Sequence, residues 1–188
     1  MLGERFEQAL SYAAQLHRQQ KRKASQVPYI AHLMSVTALV LEDGGSEDEA
    51  IAALLHDAVE DQGGQKTLDY IQKTFGEEVA EIVEACTDAY VQPKPPWEER
   101  KRQHIEHTQH AAPSVQRVVL ADKVHNARAI VRDLRMKGPE AFDVFRGGRE
   151  GTLWYYRSML EALVSSPSAY LLDELRRLVS EMETSLNA

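Results

Sequence analysis

The sequence is poor in the features that mark several large protein classes. It has one cysteine, Cys86, so no internal disulfide can form, and a reducing compartment suits it. It has no excess of positive charge. With 22 Lys and Arg against 29 Asp and Glu, the formal charge is -7, which excludes a nonspecific phosphate-backbone binder built on a basic surface. No window approaches the roughly 20 apolar residues that a membrane-spanning helix needs. The N-terminus, MLGERFEQAL, lacks a long apolar region behind positive charge. No segment sustains the two-residue alternation of a half-buried strand. No internal repeat, low-complexity tract or linker sets off a second domain. We therefore expect a cytoplasmic protein with neither nucleic acid nor membrane as partner. Its 188 residues can bury one sizeable core, so residues 1–188 are expected to form a single domain. No oligomeric state is readable, and a homodimer is compatible with the sequence.

What is present is helical periodicity. Phe6, Ala9, Leu10, Ala13, Ala14 and Leu16 recur at the three-to-four-residue spacing of an amphipathic helix running to about Gln20. A basic run from Arg18 to Lys23 leads to Pro28, and a second helix is expected from Ile30 to the pair Gly44-Gly45. Ser46 and Glu49 have the spacing of a capping box. They open IAALLHDAVE, a nearly uninterrupted apolar stretch that predicts one buried helix carrying His56, Asp57 and Glu60. Further helices are expected over 67–74, 76–89, 97–111, 114–136, 151–164 and 168–186, with Pro93, Pro95 and Pro96 in the longest loop. The expected fold class is all-α, a compact helical bundle.

Ionisable residues inside apolar stretches are the chemical signal. His56 and Asp57 are adjacent, with Glu60 four residues after the first and Asp61 four after the second. Within one helix those spacings bring the groups to one side. Four such groups amid Ala, Leu and Val are costly to bury unpaired, and a cation would offset that cost. His32 on the preceding helix and Asp122 in VVLADKVHNAR are the parts of the chain that a compact bundle can bring beside them. Two imidazoles and two carboxylates suit manganese, iron, zinc or cobalt, with open positions for water and a phosphoryl oxygen. Taken singly, a His-Asp dipeptide is more often a hydrogen-bonded core pair, and Asp122 can simply pair with Lys123 or Arg128.

PYIAH (28–32), ALLHDAVED (53–61) and LADKVHNAR (120–128) resemble the HD-domain phosphohydrolases, specifically the hydrolase domain of RelA/SpoT-type proteins. The resemblance covers most of the chain and implies an HD-type helical bundle. Single-domain members are small alarmone hydrolases that remove the 3′-pyrophosphate of ppGpp and pppGpp with manganese. The likeness carries the family's metal ligands onto His32, His56, Asp57 and Asp122. Its catalytic Glu-Asp pair falls on Glu60 and Asp61, which would orient water and shuttle its proton. Its nucleotide-contacting pair falls on Arg22 and Lys23, and its nucleoside-facing asparagine on Asn126. In FRGGREGTLWYYR (145–157), the loosest part of the likeness, Tyr155 is the candidate substrate contact.

The sequence departs from the family at two places. Leu33 follows His32 where many relatives have proline, and Ala129 stands where long members often have a hydroxyl. The second departure keeps two alternatives open: hydrolysis of another nucleotide, such as NADPH or a nucleoside phosphate, and a non-catalytic nucleotide sensor. His125, beside Asn126, is expected in a packing or supporting role. His104, His107 and His110 read as a solvated face. Lys94, Arg100, Lys101 and Arg102 read as surface charge that could fence a phosphate-bearing ligand. Cys86 reads as an inert core thiol. Gly147-Gly148 and Gly151 lack the preceding strand and Lys-Ser/Thr ending of a phosphate loop.

Overall fold

The structure is a computed structural model that describes residues 2–23, 25–87 and 95–184. Ten α-helices occupy most of it: α1 (Glu4–Leu16), α2 (Ile30–Glu42), α3 (Glu47–Leu55), α4 (Ala58–Gln62), α5 (Gln65–Phe75), α6 (Glu77–Cys86), α7 (Trp97–His110), α8 (Pro113–Lys137), α9 (Gly148–Ala162) and α10 (Ala169–Thr184). A 3-10 turn, Gly138–Phe142, follows α8. Among the described residues there is no strand, only an isolated bridge between Lys21 and Pro28. The all-α expectation holds. Pro93, Lys94 and the expected helix ends at Ala89 and Leu186 lie outside the described residues.

Two helices organise the rest. In α3, every residue from Glu49 to Leu55 is buried, because α1, α2 and α6 pack around it. The other is α8, the 25-residue spine, which lies against α2 on one side and α10 on another. The capping box that opens α3 is formed: Ser46 Oγ accepts from the Glu49 amide at 3.2 Å, and the Ser46 amide donates to Glu49 Oε2 at 2.7 Å. Glu49 also pairs with Arg117 of α8, and Arg117 Nε reaches Asp43 at 2.9 Å. This mostly buried ion pair ties the α2–α3 corner to the spine. Removing one partner of such a group costs about 3 kcal/mol or more, because the other charge is stranded.

One expectation is corrected. IAALLHDAVE is not a continuous helix: α3 stops at Leu55, His56 and Asp57 form a turn, and α4 restarts at Ala58. The backbone angles at the two residues stay near the helical region, so hydrophobic spacing passes over the break unperturbed. Gly63 and Gly64 end α4 with φ of 144° and 59°, the positive range open to glycine, and send the chain directly into α5. The first helix also stops earlier than its periodicity suggests, at Leu16, which leaves His17 and Gln20 free to bond outside a helix. Among the described residues, no helix is long and apolar enough to cross a membrane.

Candidate metal centre and its cavity

The four residues singled out as metal ligands converge. His32 comes from the first turn of α2, His56 and Asp57 from the α3–α4 turn, and Asp122 from the middle of α8. His32 Nε2 lies 3.5 Å from Asp57 Oδ2 and 3.2 Å from Asp122 Oδ1. His56 Nε2 lies 3.0 Å and 3.7 Å from the same two atoms. Both imidazoles are buried, and neither Nε2 has a hydrogen-bonding partner among the described residues. The ring nitrogens and carboxylates point at a common centre rather than at one another. A divalent cation fits this donor set, and His32, His56 and Asp57 are close enough together to share one.

The surrounding contacts fix these side chains. His56 Nδ1 donates to the Ala53 carbonyl at 2.8 Å, which leaves the Nε2 lone pair facing the acids. His32 Nδ1 is 2.7 Å from His125 Nδ1. Tyr29 Oη donates to Asp57 Oδ2 at 2.6 Å. The two Asp122 oxygens face different neighbours: Asn126 Nδ2 donates to Oδ1 and Lys123 Nζ to Oδ2, both at 2.6 Å. Burial works against charge here, yet the partners prevail. It would lower the His56 pKa, but Asp57 and Asp122 hold it well above the ordinary range. It would raise Asp57 and Asp122, but the imidazoles, and Lys123 for Asp122, hold both well below the usual carboxylate range. His125 goes the other way, lowered to about 4 by burial and by His32 and Arg22 nearby. It is a neutral ring that can support His32.

Above the cluster opens a cavity of about 970 Å³. Arg22, Lys23, Glu60, Asn126 and Tyr155 all line it. Arg22 Nη2 donates to Asn126 Oδ1 at 2.5 Å, and its guanidinium lies 5.6 Å from the Tyr29 ring centroid. Asp61 is placed differently. It is absent from the cavity lining and sits at the surface, accepting from Gln20 Nε2 at 2.7 Å. Gln20 Oε1 in turn accepts from His17 Nδ1 at 2.7 Å and Gln62 Nε2 at 2.6 Å. The His17 ring stacks on Tyr29, whose hydroxyl holds Asp57.

Several wall residues escaped the sequence reading or were assigned elsewhere. His104 does not share the solvated face of His107 and His110: it is buried and lines the cavity. Arg100 is buried rather than on the surface, and Lys101 is half-buried beside the Tyr155 ring. Cys86 is half-buried on the wall, and burial pushes its thiol pKa up, so it stays an inert group. Lys123, read from sequence only as a neighbour of Asp122, touches both that carboxylate and the Tyr155 ring. Trp97, another wall residue, lies against Gly147 and Gly151, where an added Cβ would come within 2.6 Å and 3.0 Å of the indole, and it meets Trp154 edge-on. Those glycines therefore serve packing, not phosphate binding.

An all-α bundle that gathers paired histidines and aspartates under a nucleotide-sized cavity defines a class of metal-binding hydrolytic domain, and the chain belongs to the HD-domain family, which residues 9–153 match. Within that class it is similar to the guanosine-3′,5′-bis(diphosphate) 3′-pyrophosphohydrolases called MESH1. It is 41% identical to that of Xenopus tropicalis over 138 residues, 72% of each chain. It is 39% identical to that of Homo sapiens over 142 residues, 74% of each. The solved structure of a metazoan ortholog of SpoT, described as hydrolysing ppGpp and playing a role in starvation responses, matches with a TM-score of 0.76. That match has 28% identity and covers 94% of this chain and 96% of the other.

Proposed function

We propose that this protein, read as one HD-type domain over residues 1–188, is a metal-dependent (p)ppGpp 3′-pyrophosphohydrolase of the cytoplasm. Two imidazoles with buried, unpartnered Nε2 atoms and two carboxylates, gathered on the floor of a cavity walled by Arg22, Lys23 and Asn126, carry the reading. The resemblance to pyrophosphohydrolases supplies its substrate. A divalent cation, manganese in this reading, held by His32, His56, Asp57 and Asp122 would polarise phosphoryl oxygens and bring the pKa of a water toward neutrality.

The side chains divide the remaining work. Arg22 and Lys23 present cationic groups to the nucleotide, and the Arg22 plane over Tyr29 suits stacking on a purine. Asn126 lies between Arg22 and Asp122, so a nucleoside held there sits next to the ligands. Tyr155 contacts the phosphate end. Glu60, on the cavity wall, takes a proton from the attacking water as its oxygen bonds to the phosphorus next to O3′. The O3′–P bond breaks, O3′ takes up the proton that Glu60 removed from the water, and GDP or GTP and pyrophosphate leave. Asp61, held by Gln20, supports this step from outside the cavity. Manganese-loaded protein should convert ppGpp to equal amounts of GDP and pyrophosphate. Absence of both, or release of phosphate alone, would sink the assignment.

Ala129 favours a second reading. It sits on the cavity wall with no hydroxyl to offer a guanine nucleotide, so the same centre would accept another phosphorylated nucleotide such as NADPH. Single phosphate released from NADPH, without pyrophosphate from ppGpp, selects that alternative. A catalytically silent sensor would instead bind nucleotide with no turnover over any divalent metal.

A further inference from the structure

Asp122 divides the cavity. Its Oδ1 accepts from Asn126, whose own Oδ1 accepts from Arg22 with the guanidinium 5.6 Å from the Tyr29 ring centroid, the side read above as holding the nucleoside. Its Oδ2 faces Lys123 Nζ, and beyond that ammonium the contacts continue to Tyr155, whose ring centroid lies 5.6 Å from Lys123 Nζ and 4.9 Å from Lys101 Nζ. Two ammoniums thus crowd one aromatic ring. The Tyr155 side chain lines the cavity at 7% exposure, and among the described residues its buried hydroxyl has no hydrogen-bonding partner. A buried hydroxyl left unbonded costs free energy that a ligand oxygen would recover. An ammonium has three donors, and Asp122 engages one of those on Lys123.

We infer that Lys101, Lys123 and the Tyr155 hydroxyl form an anion subsite that takes the terminal phosphoryl group of a bound pyrophosphate. The inference rests on the hydrolase reading and adds what it leaves open, namely how a diphosphate ester is told from a monophosphate. The phosphoryl next to O3′ lies over the four ligands, and the one beyond it extends to the Oδ2 side of Asp122. A substrate with a single phosphate leaves this subsite empty. The site therefore favours pyrophosphate as leaving group through charge-assisted hydrogen bonds made only to the second phosphate.

The test is calorimetric titration of the manganese-loaded protein with inorganic pyrophosphate, inorganic phosphate and GDP in turn. Wild type should bind pyrophosphate more tightly than phosphate. Lys101→Met should weaken pyrophosphate by about tenfold or more, the scale of one lost charge-assisted bond, and leave phosphate and GDP within about twofold. Lys101→Arg should restore most of the loss. Tyr155→Phe, which keeps the ring and its packing, should weaken pyrophosphate by about fivefold as one hydroxyl bond is lost. Equal loss for all three ligands would overturn the subsite, as would unchanged pyrophosphate binding in both Lys101→Met and Tyr155→Phe. If the selective loss appears but ppGpp is not turned over, the subsite stands and the hydrolase reading falls. If ppGpp is turned over without the selective loss, the reverse holds.

Discussion

The floor and the rim of the cavity are built on different terms. On the floor, His32, His56 and Asp122 are buried, each is gripped by a second contact, and all three come from elements packed in the core. At the rim, Lys23 is exposed, Lys101 is half-buried on α7, and Arg22 belongs to a segment whose only regular structure is an isolated bridge. In the proposed reading the floor, held by the core, sets the chemistry, because ligands must be oriented before a cation arrives. In the same reading the rim, carried on long side chains, can adapt and sets what is bound.

If that division is right, floor substitutions remove the metal and rim substitutions spare it. The largest effect belongs to His56→Ala. It should abolish metal retention and turnover, exceeding the roughly 10–100-fold cost of losing an outer contact, as read by elemental analysis beside a thermal melt. Next comes Glu60→Gln, expected to lower kcat about 10²-fold or more with metal content unchanged. Asp61→Asn, outside the cavity, should cost about tenfold at most, and equal losses at the two positions would erase the distinction drawn between them.

Tyr29→Phe is smaller and more telling. It removes the hydroxyl that holds Asp57 and keeps the ring against His17 and Arg22, so metal affinity should fall about tenfold while folding stays intact. Arg22→Met, on the rim, should raise KM about tenfold without moving metal content, and loss of metal there would break the floor-and-rim division. Acidity gives the mildest probe. Asp57 and Asp122 raise the His56 pKa, so a proton competes with a cation for Nε2 as the solution becomes more acidic. Apparent metal affinity should therefore drop by about tenfold per unit as pH falls below the His56 pKa. Calorimetry in buffers of different ionisation enthalpy will count the released proton.

The floor was more legible in the sequence than the rim, for a physical reason. His32, His56, Asp57 and Asp122 stand out because ionisable groups in apolar runs demand a compensating partner, a constraint that acts through burial alone. Helix positions followed from the same patterning. The turn at His56-Asp57 did not, since a break that keeps near-helical angles leaves the apolar spacing intact. His104 reads as solvated because its own helix is polar, and the packing of α7 against α8 and α9 buries it. Asp61 looked equivalent to Glu60 until the early end of α1 placed Gln20 against it. Lys101 and Lys123 required tertiary knowledge of a kind no single-helix pattern holds, because the ring that joins them lies on another element.

The seat of Trp97 on Gly147 and Gly151 has an optical consequence. The chain has two tryptophans: Trp97, on the cavity wall, meets Trp154, which lies outside the lining with Arg102 5.1 Å from its ring centroid. All of the protein's indole emission therefore originates from one residue on the cavity wall and the neighbour packed against it. An unlabelled sample should report ligand entry by a change in that emission, which makes the protein its own reporter for every titration proposed above.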